Sequence, residues 1–243
     1  EGGECYRAEG RTFEVRHAGG GYHPVSLPEG VMRFHMTRRT LTPVTANNSA
    51  SLFALEGDLR LVEFHSKANA LTDESMEIVA AAAADHGKGI IIHNDAQHFS
   101  AGVDLNAFRA YIEAEDWDGI DGFLDRFQKA VCALKYTPVP VVGAPSGLAA
   151  GGGYEVLAHC DRLVVHTNSV MGLVEAGVGV VPGGGGIKDT FFRWHAAKDS
   201  WDEAAWQTWM NIGYGATGSS PQLSARMMYF RDGHDETVMN RDR

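Results

Sequence analysis

The residues best suited to chemistry lie in Pro145–Asp161, where Gly151, Gly152 and Gly153 run directly into Tyr154 and Glu155. Glycine is a poor helix former, yet Tyr154 to Cys160 has helical character, so the triplet at its start answers some other need. One such need is close backbone approach by a ligand oxygen, which free N–H groups and the helix dipole would stabilise. Glu155 follows Gly152 by three residues, so its carboxylate can share that side of the helix start. Two readings stay open on these residues alone. The turn either stabilises an anion beside an acid, or packs against a neighbouring strand while Glu155 is solvated.

Two further stretches also put small residues near the end of a short strand. They are Ser100-Ala101-Gly102-Val103-Asp104, and Val174-Glu175-Ala176-Gly177 with Pro182-Gly183 behind it. Ends of strands are where α/β proteins usually place ligands. Other patterns can be set aside. Gly183 to Lys188 lacks the Gly-Lys-Ser/Thr ending of a phosphate loop, and Pro182 stands where a dinucleotide fingerprint needs glycine. Ser146 before Gly147 has no accompanying nucleophile motif, and His93, His98, His159 and His166 fit local hydrogen bonding better than catalysis.

The elements that must position these stretches are legible in outline. Ser51–Leu55 and Leu59–Phe64 flank Glu56-Gly57-Asp58, which reads as a hairpin. Thr72 is an N-cap candidate with Asp73 and Glu74 in the first turn and Gly87 beyond the end. Gly89–His93 and Val141–Ala144 read as covered strands, and Leu163–His166 reads as a further strand. Phe99–Leu105 is a loop leading into a helix, and Ile120, Phe123, Leu124, Phe127, Val131 and Leu134 form one buried helix face. Trp201–Ile212 and Pro221–Tyr229 also look helical. Strands alternate with helices, so the class is α/β.

Composition narrows the functions. The net charge of −10, from 21 basic and 31 acidic residues, leaves no basic stripe for nucleic acid. No apolar run approaches the roughly 18 residues that a membrane span needs, and no signal peptide pattern is present. Cys5, Cys132 and Cys160 are widely spaced, which fits free thiols in a reducing compartment, and a cytoplasmic location is expected. The 11 His show no ligand spacing, so no metal site is assigned. Residues 1 to 48, rich in Gly, Arg, Thr and Pro, read as an amino-terminal arm or interdomain linker. Residues 49 to 243 then form the main domain.

Taken in order, Asn69-Ala70-Leu71, Phe99 to Asp104, Gly151 to Glu155, Glu175 and Pro182-Gly183 resemble the crotonase (enoyl-CoA hydratase/isomerase) family over roughly Ser51 to Gly186. The resemblance implies a crotonase-like spiral of β-β-α turns with two sheets wrapped by helices. It also implies an oxyanion hole of two backbone N–H groups, from Val103 and Gly152, for an acyl-CoA thioester carbonyl. Glu155 and Glu175 are implied as the catalytic pair of a hydratase, Glu155 activating the water and Glu175 serving the Cα proton. Lys67, Ala68 and Ala70 are implied near the adenine end of coenzyme A, with Ala101, Asp104 and Leu105 along the pantetheine passage. No cofactor is expected in this segment, since coenzyme A belongs to the substrate.

Nearly fifty residues precede the first strand and 57 follow Gly186, unlike the common single-domain pattern. These features resemble the hydratase half of bifunctional fatty-acid oxidation proteins, in which an NAD-dependent 3-hydroxyacyl-CoA dehydrogenase precedes the hydratase. A covalently fused dehydrogenase upstream, a domain truncated at its carboxyl end and homo-oligomerisation are therefore expected. The rivals are a 3,2-enoyl-CoA isomerase and an idle docking or oligomerisation module of a larger oxidation complex.

Overall fold

The computed structural model of the chain describes residues 4–9 and 12–240. It starts with an antiparallel ribbon of β1 (Tyr6–Glu9), β2 (Thr12–Arg16) and β3 (Tyr22–Pro24), in which Tyr6 stacks on Phe13. Helix α1 (Phe34–Thr37) buries Phe34 edge-on against Phe53, with ring centroids 5.3 Å apart. Strand β4 (Thr45–Ala46) then pairs with β5 (Ala50–Leu55), which forms the expected hairpin with β6 (Leu59–Phe64).

From β6 onward one pattern recurs four times: a strand of the main sheet, a short extended piece of a second sheet, then a helix. The first turn runs β6, Leu71 and α2 (Asp73–Ala84). The second runs β7 (Gly89–His93), Ser100–Val103, α3 (Leu105–Glu113) and α4 (Trp117–Lys135). The third runs β8 (Val141–Ala144), β9 (Leu148–Ala150) and α5 (Gly152–Ala158). The fourth runs β10 (Arg162–His166), β11 (Val170–Gly172), a single 3₁₀ turn at Glu175–Val178, and α6 (Gly186–Lys198). Helix α7 (Trp201–Gly213), strand β12 (Thr217–Gly218), helix α8 (Pro221–Ala225) and strand β13 (Glu236–Val238) complete the chain.

The main sheet has the order β13-β10-β8-β7-β6-β5-β4, parallel from β6 to β13 and antiparallel from β6 to β4. One face of its parallel strands is fully buried, through Ile90, Ile92, Val141, Leu163 and Val165, while Ile91, Val142 and Val164 on the other face are half-buried. The second sheet stacks its pieces in the same sequence. Leu71 bridges Val103, Ser100 bridges Ala149, β9 pairs parallel with β11, and β11 pairs antiparallel with β12. This is the spiral of β-β-α turns that the resemblance implies.

Local chemistry explains the helices that the sequence announces. Thr72 accepts from the Ser75 N–H, and the Ser75 side chain answers the Thr72 N–H, a full capping box at the start of α2. Phe123, Phe127, Val131 and Leu134 turn the apolar stripe of α4 into the core. Helix α8 stops at Ala225, short of the expected Tyr229. Asn211 and Arg193 draw off the Met227 and Met228 carbonyls, Met228 takes φ 60°, and Tyr229 is left to pack on Tyr154. Among the described residues no helix is long and apolar enough to cross a membrane.

The corner that passes the chain from β8 into β9 aims everything downstream of it. Gly147 sits there at φ 66°, and a Cβ on it would lie 2.1 Å from the Gln97 carbonyl oxygen, a backbone atom that cannot swing aside. Left-handed strain and overpacking each cost roughly 1–3 kcal/mol, so Gly147→Ala is expected to destabilise the chain by about 2 kcal/mol or more in urea denaturation. A stability equal to wild type would show that this corner yields freely.

Candidate active site

The Ser100–Asp104 stretch is held from both sides by ladder bonds. The Leu71 N–H donates to the Gly102 carbonyl at 2.8 Å and the Asp104 N–H donates to the Leu71 carbonyl at 2.9 Å. On the opposite edge the Ser100 N–H reaches Leu148 and the Ala150 N–H reaches Ser100. A buried side-chain brace fixes the turn. Ser100 Oγ donates to the Asn69 carbonyl and accepts from the Gly102 N–H, while Asn69 Nδ2 donates to the His98 carbonyl. Gly102 has φ 95°, and a Cβ there would come within 3.0 Å of the Ala150 oxygen. Val103 lies between the two ladder positions, and its own N–H donates to no other described residue.

The glycine triplet sits against this turn. Gly151 adopts φ 53° and ψ −126°, a conformation essentially reserved for glycine, and its N–H donates to the Gly172 carbonyl. A Cβ on Gly152 would lie 2.8 Å from Val103 Cγ2, and one on Gly153 would lie 2.7 Å from Ser100 Cβ. All three glycines are therefore required for packing. Gly152, as the first residue of α5, nevertheless keeps an N–H that donates to no other described residue. The packing reading holds for this turn. Close approach of the two backbones leaves two N–H groups, at Val103 and Gly152, that donate to no other described residue.

Both glutamates lie close to the glycine triplet. Glu155 is 2 % exposed, and its Oε1 accepts from the Gly184 N–H at 2.8 Å and the Gly186 N–H at 2.9 Å. Burial pushes its carboxyl up from the ordinary 4.5 to about 7, with the Glu175 charge adding to the rise and the two N–H bonds opposing it. Glu175 opens the 3₁₀ turn, and its Oε1 lies 3.0 Å from the place a Cβ on Gly151 would occupy. Its Oε2 is buried with no hydrogen-bond partner among the described residues, and burial raises this carboxyl too. Two carboxyls near one glycine turn, each held toward its protonated form, can divide acid and base roles near neutral pH.

The positions assigned to coenzyme A also come together. The Ala101 N–H donates to the Ala68 carbonyl at 3.2 Å, so the Lys67–Ala70 stretch lies beside the second-turn loop. Lys67 and Ala68 are exposed, and Leu105 is 50 % exposed at the start of α3. Asp104 is the N-cap of α3, its Oδ1 accepting from the Asn106 N–H, which gives it a structural role at the start of that helix. The sequence reading did not find Gly184 and Gly186 as partners of Glu155, nor Phe127 and Leu124 as the side chains packed under that loop. The glycine run itself was visible, but no spacing rule links it to a glutamate 29 residues away.

Comparison with known proteins agrees with this architecture. The family model described as "Enoyl-CoA hydratase/isomerase" matches residues 59–194, more than half of the chain. A Bacillus subtilis protein named "Probable 3-hydroxyacyl-CoA dehydrogenase" is 31 % identical over 222 residues, covering 89 % of this chain but 28 % of that protein. A Rickettsia felis protein named "Putative fatty acid oxidation complex trifunctional enzyme" is 33 % identical over 153 residues, 62 % of this chain and 21 % of that protein. The chain thus spans about a quarter of the length of these relatives. Among solved structures, Pseudomonas aeruginosa DspI superimposes with a TM-score of 0.67 at 20 % identity, covering 82 % of this chain and 76 % of that one. An enoyl-CoA hydratase from Bacillus anthracis gives 0.65 at 19 % identity, covering 79 % and 70 %.

The raised Glu155 carboxyl has a stability consequence whose sign is fixed. A group with a folded value above its unfolded one contributes stability that is complete below about pH 4.5 and lost as pH rises through about 7. Glu155→Gln keeps an acceptor for the two glycine N–H groups and carries no charge. Its advantage over wild type is expected to grow by roughly 2–3 kcal/mol between pH 5 and pH 8 in urea denaturation. An advantage independent of pH would place the carboxyl in a solvated site.

Proposed function

The chain belongs to the enoyl-CoA hydratase/isomerase family, and from that premise we propose that it hydrates 2-trans-enoyl-CoA to 3-hydroxyacyl-CoA. The observation that carries this reading is the pairing of Glu155 and Glu175 around a glycine turn that offers the Val103 and Gly152 N–H groups. An isomerase requires one carboxyl to shuttle a proton. Addition of water requires one group to take a proton from the water and another to supply one to carbon.

In the proposed reaction the thioester carbonyl rests on the two free N–H groups, which bind more strongly as it becomes an enolate. Backbone donors of this kind lower a barrier by roughly 2.7–4 kcal/mol each. Gly184 and Gly186 hold Glu155 Oε1, which leaves the other oxygen of the ionised carboxylate to take a proton from water. The water oxygen bonds to Cβ, the Cα–Cβ π electrons move onto Cα and the carbonyl, and protonated Glu175 delivers its proton to Cα. The elements of one water are thereby added, and the two carboxyls exchange a proton with solvent to reset. Lys67, Ala68, Ala70, Ala101, Asp104 and Leu105 line the proposed course of coenzyme A.

The long relatives support a further part of the proposal. The Bacillus subtilis protein is named a probable 3-hydroxyacyl-CoA dehydrogenase, an activity whose substrate is the product of this hydration. We place that NAD-dependent step in a fused part of the same polypeptide, with the hydratase acting first in fatty-acid β-oxidation.

Loss of crotonyl-CoA absorbance measures the hydration directly. Glu155→Gln and Glu175→Gln are each expected to lower kcat by about 10²–10⁴-fold, the range of a lost general acid or base. Wild-type turnover in either variant would sink the two-carboxylate mechanism. Migration of the double bond of a 3-enoyl-CoA without hydration would select the isomerase. Acyl-CoA binding with no turnover of either substrate would select the docking module.

A further inference from the structure

His159 caps the carboxyl end of α5, one helical turn beyond Glu155, and is 1 % exposed. Its Nδ1 lies 2.7 Å from the Glu155 carbonyl oxygen, which can only accept, so Nδ1 carries the proton. Its Nε2 is buried 3.2 Å from Asp189 Oδ2 and forms no hydrogen bond with any described residue. The flat ring lies directly under the loop that binds the Glu155 carboxyl. A Cβ on Gly185, at φ 104°, would be 2.9 Å from His159 Cε1 and 3.1 Å from Nε2. Gly185 is flanked by Gly184 and Gly186, the two residues whose N–H groups hold Glu155 Oε1.

Asp189 is itself anchored. It lies in the first turn of α6, its N–H donates to the Gly185 carbonyl, and its carboxylate receives Lys135 from the end of α4 and Lys188 from α6. Burial draws the imidazole toward its neutral form, while the bond to Glu155 and the Asp189 charge oppose that. The ring is therefore a spacer between α5 and α6, one that grips the backbone of the glutamate on one side and the floor of its carboxyl loop on the other.

We propose that His159 is a positioning residue for Glu155: bonded to the Glu155 carbonyl and packed under Gly185, it holds Gly185 at the height that keeps the Gly184 and Gly186 N–H groups on the carboxylate. The consequence for hydration rests on the function proposed above. The positioning itself does not, and it has a readout that needs no activity.

The test uses residue-resolved hydrogen exchange of the backbone amides of the 243-residue chain, beside the crotonyl-CoA assay. In His159→Ala the Gly184 and Gly186 amides are expected to exchange about tenfold faster or more, while Ile92 and Leu163 in the main sheet keep their rates. His159→Asn, which retains a donor for the Glu155 carbonyl and part of the volume, is expected to recover much of the protection. Turnover should follow, with kcat in His159→Ala falling about 10- to 100-fold and KM moving little. Unchanged exchange at Gly184 and Gly186 would overturn the proposal, as would an equal acceleration of every amide, the mark of a purely global loss of stability. If wild type hydrates no enoyl-CoA, the functional reading fails and the exchange data alone decide the role of His159.

Discussion

A carboxyl group withdrawn from water and given two backbone N–H groups is the interaction on which this structure turns. Glu155 lies in the first turn of the third turn's helix, and its two partners, Gly184 and Gly186, flank the N-cap of the helix of the fourth. Burying a charge costs several kcal/mol unless hydrogen bonds compensate, so the site persists only while the two turns keep their spacing. That spacing admits no side chain on the loop. A Cβ on Gly184 would meet Phe127 at 2.3 Å and Glu155 Oε2 at 2.7 Å. Stability and chemistry are thus tied to the same few ångströms.

The same economy explains the other glycines. Gly102, Gly151, Gly152 and Gly153 stand where successive turns of the spiral touch through their backbones. A parallel ladder engages the N–H groups on one side of a strand and leaves the others pointing away. Stacking Leu71, Val103, Ala149 and β11 side by side leaves the Val103 N–H without an acceptor among the described residues, and the start of α5 leaves that of Gly152 likewise.

Charge around the site is arranged so that the two glutamates dominate it. Asp189 lies near enough to push the Glu155 carboxyl upward, but Lys135 and Lys188 neutralise it from the opposite side. Glu175 keeps one oxygen buried without a partner, an arrangement that favours a proton there. One negative charge shared between two carboxyls is easier to accommodate than two.

The sequence by itself determined the local elements and the residue types of the site. The capping box at Thr72, the hairpin at Glu56–Asp58, the apolar strands, the stripe of α4, the glycine triplet and the order of the motifs all rest on neighbours within a few residues, where periodicity and turn chemistry operate. Three-residue strands such as β9 and β11 left no trace, because so short a piece has no period and is defined only by its partner. Tertiary structure alone decided that Glu155 binds Gly184 and Gly186, that Glu175 covers Gly151, and that His159 sits between the Glu155 backbone and the start of α6. The first two join residues more than twenty positions apart, and the third joins α5 to a helix that the sequence pattern did not reveal. Nothing in the spacing of such residues fixes their distance; only the pitch of the spiral, set by which backbones can touch, brings them together.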